Sequence, residues 1–311
     1  MELGGIIEYG LFFLSFVGIY ALLSLGLNLQ WGLTGQFNIG IAGFFAVGAY
    51  TSAILTTAPS PHHLGGFGMP LAVGLVFAMV LAGLVAVLVG LLTVRLRTDY
   101  LAIATIGIAE IIRLGLKNEE WLTNGVRGIP GIPRPFAETL GQSDGVFLLV
   151  VVVLILMVYL ALEAARRSPW GRVLRAIREN EDGVRAAGKH IERFRLEAFV
   201  VGSMIMGLGG ALFAHFVGFI SPEAFTPEFA TFLVWVMLIA GGSGNNKGAV
   251  LGALIIWLVW TGTEFLTSMA PPEYVTQAGA LRLLMIGILV QVILLVRPDG
   301  LLPEETADRT K

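Results

Sequence analysis

The chain has 311 residues, of which 56% are hydrophobic and only 14% charged, and its formal net charge is −2. Soluble domains carry about 25% charged residues, so this composition excludes a soluble globular protein and specifies an all-α, polytopic transmembrane bundle. Cysteine is absent, which excludes disulfides, thiolate metal sites and thiol catalysis; the basic residues gather at the ends of apolar runs rather than on one face, which argues against nucleic-acid binding.

The first residues, MELGGIIEYG, include acids but no basic residue, unlike the basic start of a cleavable signal peptide. A helix needs roughly 20 apolar residues to cross the hydrocarbon core. About nine runs (roughly eight to ten) meet or approach that length, near 8–29, 36–57, 70–94, 100–116, 146–162, 198–220, 229–241, 249–266 and 281–296. The fourth, fifth and seventh are short. One transmembrane domain, 1–311, is expected, ending in a polar, frayed tail at 303–311.

The second run opens with GLTGQFNIGIAG (32–43). Its amides Gln36 and Asn38 must find partners in hydrocarbon. They either line a substrate path, on backbone freed by Gly32, Gly35 and Gly40, or bond neighbouring helices. In the fourth run Glu110 and Arg113 share a helix face at i, i+3 and can pair. Glu110 is then either an intramembrane functional acid or half of a pair that snorkels to the interface. His62, His63 and Glu264 read as solvated, and His215 as a packing histidine.

Between the fifth and sixth runs lies a polar insert, 163–197, with nine of the chain's 20 basic residues. By the positive-inside rule it is cytoplasmic. Alternation then puts Arg95, Arg97, Lys247, Arg297 and the C-terminus on its side, and the 59–70, 117–145 and PPEY (271–274) loops with the N-terminus opposite. A hairpin or broken helix at 28–45 would flip the N-terminus. Within the insert, Ser168 can cap a helix with Pro169 at its first position. Trp170, Val173, Leu174 and Ile177 share one face, away from Arg172, Arg175 and Glu179. Asp182 can cap a second short helix, with Gly183 and Gly188 breaking the run on either side. Such a pair needs something to pack on, and the reading here is another protein.

The stretch GGSGNNKGAVLG (241–252) interrupts the second half as 32–43 interrupts the first. Corresponding breaks point either to inverted repeats with a site near the midplane or to two ordinary tight helix ends. Gly244, Gly248 and Gly252 recur every four residues, and Gly40, Gly43 and Gly48 cluster, as close helix packing requires. Three enzyme-like signals fail. The GxSG pattern at Ser243 has no later histidine as base; Asn246 precedes Lys247 and Gly248 follows it, so the phosphate-loop ending is missing; His, Asp and Glu show no metal-ligand spacing. No catalytic residue, metal or cofactor is expected.

SLGLNLQWGLTGQFNIGIAGFFAVGAY (24–50), RLRTDYLAIATIGIAEIIRL (95–114), SPWGRVLRAIRENEDGVRAAG (168–188), FVVGSMIMGLGGALFAH (199–215), FISPEAFTP (219–227) and IAGGSGNNKGAVLGA (239–253) span nearly the whole chain. Together they resemble the permease subunits of branched-chain amino acid ABC importers, the M-type of the two Liv permeases. Permeases for urea and short-chain amides look similar, and an ion-coupled secondary transporter is the alternative of another class. The resemblance implies a bacterial inner-membrane subunit paired with a homologous second permease. Two ATP-binding subunits use ATP beneath it, and a periplasmic binding protein delivers leucine, isoleucine or valine. The insert is then the coupling element, carried by Gly171, Arg172, Arg175, Arg178, Glu179, Glu181 and Gly188, although the strict EAA triplet is missing. Gln36, Asn38 and Glu110 are the expected substrate-path residues.

Overall fold

A computed structural model describes residues 3–61, 63–96, 98–134, 144–268 and 275–304. The helices are α1 (Leu3–Leu27), α2 (Ile41–Thr56), α3 (Leu71–Thr93), α4 (Thr98–Asn118), the single turn α5 (Glu120–Thr123), α6 (Asp144–Arg167), α7 (Pro169–Glu179), α8 (Glu181–Ala186), α9 (Ile191–Val217), α10 (Leu233–Gly241), α11 (Asn246–Ser268) and α12 (Val275–Val296). Single π-turns extend α1 through Asn28–Leu33 and precede α10 at Glu228–Phe232. Two-residue strands, β1 (Ile129–Pro130) and β2 (Phe219–Ile220), pair antiparallel.

Among the described residues, six helices are long and apolar enough to cross a membrane: α1 with its π-turn, α3, α6, α9, α11 and α12. The runs at α2 and α10 are shorter. The fourth and fifth runs are longer than their apolar stretches suggest, at 21 and 24 residues, because charged ends continue each helix. Helix α4 lies on the bundle through Leu101, Ala102, Thr105 and Ala109 and leaves Tyr100, Ile103 and Ile111 bare.

Helix α9 is the central element, packed on α1, α2 and α3. Small residues let it approach all three: a Cβ on Gly48 would strike the Gly207 carbonyl, and one on Gly26 the Gly202 carbonyl. These contacts fix directions. Gly26 lies by Gly202 and Leu23 by Gly209, so α1 is antiparallel to α9. Gly48 lies by Gly207, and Ser52 bonds His215, so α2 is parallel to it. Gly74 by Ser52 and Gly90 by Phe199 turn α3 back, and Gly40 by Thr105 and Gly43 by Ala109 align α4 with α2. Phe147 lies by Phe216 and Gly18 by Val151, Tyr20 by Trp257 and Asn28 by Asn246, and Phe229 by Trp260 and Gly241 by Gly248, which orients α6, α11 and α10. The chain thus alternates, with the start of α1 at one end and α7, α8 and residues 297–304 at the other.

Several expectations need correction. The second run is helical only from Ile41, not from 36. Gly35 takes φ +74°, and Asn38 Oδ1 accepts the Gly40 N–H at 2.7 Å, so 34–40 is a buried non-helical break. It reverses the chain between two helices and leaves the alternation intact. Asn180, not Asp182, caps α8, its Oδ1 accepting Gly183 N–H at 2.9 Å, and Gly183 lies inside that helix. His63 is buried, with Nδ1 donating to the Leu64 carbonyl at 3.1 Å. Pro303 and Glu304 are docked on the bundle rather than frayed. His62, Arg97, 135–143, the PPEY loop and 305–311 lie outside the described residues.

Candidate functional site

The hairpin α7–α8 is built as its sequence dictates. Ser168 Oγ accepts the Gly171 N–H at 3.3 Å and Pro169 takes the first helical position. Gly171 admits no side chain, since a Cβ would strike the Ala165 and Arg166 carbonyls. Leu174 and Ile177 are buried, and Ile177 continues into a small cluster with Val184 and Ile191. Trp170 is half-buried and donates to Glu197 at 2.8 Å. Glu181 holds Arg185 and Arg195, each at 2.8 Å, and so fixes α8 to the start of α9. Arg172, Glu179, Asp182, Arg185 and Gly188 stay exposed, and Arg175 is half-buried.

Arg178 points the other way. One guanidinium nitrogen donates to the Gly32 carbonyl, the other to Glu304 Oε2 at 2.7 Å, and its stem lies over Gly35. Behind it the two glycine- and asparagine-rich breaks meet. Asn28 donates to Asn246 Oδ1 at 3.0 Å and accepts the Gly244 N–H at 2.8 Å. Asn246 donates in turn to Glu163 at 3.2 Å, which also holds Arg166 at 2.6 Å and Arg167 at 2.8 Å. The chain returns to this junction after α12: Leu301 and Leu302 N–H donate to the Ala240 and Gly241 carbonyls, and Pro303 O accepts from Asn245. The two breaks therefore touch each other at the hairpin end of the bundle, where residues from both halves of the chain form one polar node.

The expected substrate-path residues are not brought together. Asn38 is fully buried and engaged on every side: it donates to Gln30 Oε1 at 2.8 Å, while its carbonyl accepts Trp235 Nε1–H at 3.0 Å. Gln30 bonds Phe199 O and Ser203 on α9. Gln36 lies two residues away but opens on a polar basin at the hairpin end. Glu110 sits toward the other end, chelated by Arg113 at 2.6 and 2.9 Å; Arg113 and Lys117 both reach Glu223, in the loop after β2. An open apolar groove of about 830 Å3 runs beside Asn38, walled by Trp31, Phe37, Ile106, Phe232 and Trp235. Its aromatic rings pack edge to face, Phe37 and Trp235 at 4.7 Å.

His215 is a packing residue. Its Nδ1–H donates to Pro133 O at 2.6 Å, so its Nε2 accepts from Ser52 at 2.8 Å. Ser243 lies at the opposite end, on the rim of the groove. Asn28, Gln30, Glu163, Trp31 and Trp235 were not singled out in the sequence, and Asn246 entered it only as a departure from the phosphate-loop ending. The available signal was the pair of amides in LGLNLQWG, inside an otherwise apolar run.

Alternating apolar helices, buried amides between them and an outlying amphipathic hairpin bolted to two helix breaks define a multi-pass helical membrane protein of the permease class. The family model described as "Branched-chain amino acid transport system / permease component" matches residues 9–294. The chain belongs to that family. It is 34% identical to the high-affinity branched-chain amino acid transport system permease protein LivM of Escherichia coli (strain K12), over 92% of this chain and 68% of the relative. It is 30% identical to a probable LivM permease of Methanocaldococcus jannaschii, over 94% and 92%. To the high-affinity branched-chain amino acid transport system permease protein LivH of Escherichia coli (strain K12) identity is 26%, over 91% of both. No solved structure matches.

Proposed function

We propose that the chain is one of two membrane subunits of an ATP-driven importer for branched-chain amino acids, located in the inner membrane. The single observation that carries this is the hairpin α7–α8. It is seated on the bundle by Leu174, Ile177 and Arg178 while Arg172, Glu179, Asp182 and Arg185 face outward. A helix with one face anchored and the other charged transmits a push from a separate ATPase as a rigid lever. On this reading the hairpin end is cytoplasmic, in line with its basic charge. A homologous second permease covers the aromatic groove, ATP is hydrolysed by two partner subunits, and a periplasmic binding protein presents the solute. The similarity to both LivM and LivH proteins supports the pairing and the substrate class.

The test is reconstitution. Liposomes holding this chain, the second permease and two ATPase subunits are expected to take up leucine only with binding protein outside and ATP inside. Uptake by the membrane subunits alone under an ion gradient would replace the importer with a secondary transporter. Urea uptake in place of leucine would move the substrate class.

A further inference from the structure

The groove beside Asn38 is walled by irregular backbone. Among the described residues there are two π-turns, Asn28–Leu33 and Glu228–Phe232, and each puts a ring on it, Trp31 from the first and Phe232 from the second. Phe37 and Ile39 reach it from the non-helical break at 34–40. π-turns are rare and occur mostly at functional sites. Irregular backbone at membrane depth persists only where it is buried in protein or lines a cavity. Three irregular segments on one groove mark it as the working cavity of the bundle.

Its rings are not held alike. Trp31, Phe37 and Trp235 pack on one another, with centroids 5.2, 5.4 and 4.7 Å apart. Trp235 belongs to a tied wall. Its indole N–H donates to Asn38 O at 3.0 Å, and Ala42 N–H donates to Thr231 Oγ1 at 3.2 Å, which joins α10 and its π-turn to the start of α2. Trp31 is half-buried and stands between two different anchors. Gln30, before it, is held on α9 by Phe199 O and Ser203; Gly32, after it, gives its carbonyl to Arg178 of the hairpin. A displacement of α7 against α9 is therefore taken up in the backbone between Gln30 and Gly32, and the Trp31 ring turns with it.

We propose that Trp31 is the moving gate of the groove and that Arg178 is its positioning residue, carrying the motion of the hairpin into the ring through the Gly32 carbonyl. The cargo is the apolar side chain of the solute, for which aromatic and aliphatic walls are the matching surface. The identity of that solute and the source of the push rest on the importer reading; the ring as a barrier does not.

The chain has no cysteine, so Ile106→Cys places one thiol in the groove. It lies beyond the rings as seen from the hairpin, because the adjacent Thr105 packs on Gly40, two residues past Asn38. Vesicles holding the full complex with the hairpin side outward are treated with a charged maleimide, and labelling of this chain is followed. Its rate is expected to change severalfold between nucleotide-free complex and complex holding a non-hydrolysable ATP analogue. Trp31→Ala is expected to label fast in both states, and Trp31→Phe, which keeps a ring, to restore the difference. Arg178→Ala is expected to remove the difference. Glu304→Gln weakens the other contact of the same guanidinium but leaves the Gly32 bond, and is expected to keep it; that contrast separates positioning from stability alone. A difference that survives Trp31→Ala or Arg178→Ala overturns the proposal, and if Arg178→Ala does not assemble, the Trp31 variants decide. ATP-driven leucine uptake with no difference in wild type would remove the gate and leave the importer. If no ATPase subunit binds, the importer reading falls, and the gate stands or falls on whether Trp31→Ala labels faster than wild type.

Discussion

The guanidinium of Arg178 and the carboxylate of Glu304 meet at 2.7 Å across 126 residues of sequence, with side chains 25% and 19% exposed. The same guanidinium holds the Gly32 carbonyl. Two separate chain segments are thus fastened to α7 by one side chain. Arg178→Ala is expected to lower stability by about 1–2 kcal/mol, the lower part of the range for bonds to charged groups because the pair is partly solvated. In the proposed importer it is also expected to reduce the solute carried per ATP. Arg178→Lys should recover little, since an ammonium on a flexible stem lacks the planar fork that serves both acceptors. Thermal denaturation together with the ATP-to-leucine ratio checks both.

The Asn28–Asn246 bond sits at zero and 2% exposure between α1 and α11. Asn28→Leu strands the Gly244 N–H as well as Asn246, at about 1–3 kcal/mol for each buried orphan. The double change Asn28→Leu with Asn246→Leu is expected to cost less than the sum of the singles, because it removes both ends of the bond. A double-mutant cycle on melting temperatures in detergent measures the coupling; strict additivity would show that the bond contributes nothing.

Close backbone contact at Gly48 and Gly207 sets the α2–α9 distance. Gly48→Val is expected to push the helices apart and yield aggregated or unstable protein, whereas Gly107→Val, at a position with open space around it, should leave folding intact. Size-exclusion profiles of the two variants give the comparison.

At the opposite end, the hydrogen bond and charge of Lys117 hold the Glu223 carboxyl below the usual carboxylate range. A lowered folded value means the tie is fully present above the unfolded pKa, about 4.3 for glutamate. It fades as pH falls through the folded value. Protection of the amides across 219–232, measured relative to their intrinsic exchange rates, is therefore expected to fall as the pH drops below the unfolded glutamate value of about 4.3, and Glu223→Gln is expected to abolish most of that pH dependence.

The six long crossings were legible because each is an extended apolar run, and the α7 cap because Ser-Pro acts within one turn. What the sequence concealed is long-range. Nothing local says that Asn28 will face Asn246, or that a polar tail beginning PEE will dock one of its acids on Arg178. Expecting a frayed tail followed from its composition; its partner lay in the middle of the chain. The break at 32–43 was visible as glycine and asparagine, but its helical restart was placed five residues early. That error arose because IGIAGFFAVGAY and the residues before it read as one apolar run, while the Asn38 side chain ends the non-helical stretch locally. Gln36 and Asn38 are equivalent in one dimension, and only packing separates the amide engaged on every side from the one left with a free oxygen.

The seat of α7 also has a consequence for biosynthesis. Arg178 leaves the ribosome long before Glu304, Leu301 and Leu302, so the hairpin is made well ahead of the residues that latch it. A chain stopped short of α12 would carry the hairpin without its Glu304 contact, held by the Gly32 carbonyl, its apolar face and the Trp170–Glu197 and Glu181–Arg195 ties. The seat of α7 is therefore complete only once the chain has been made through Glu304.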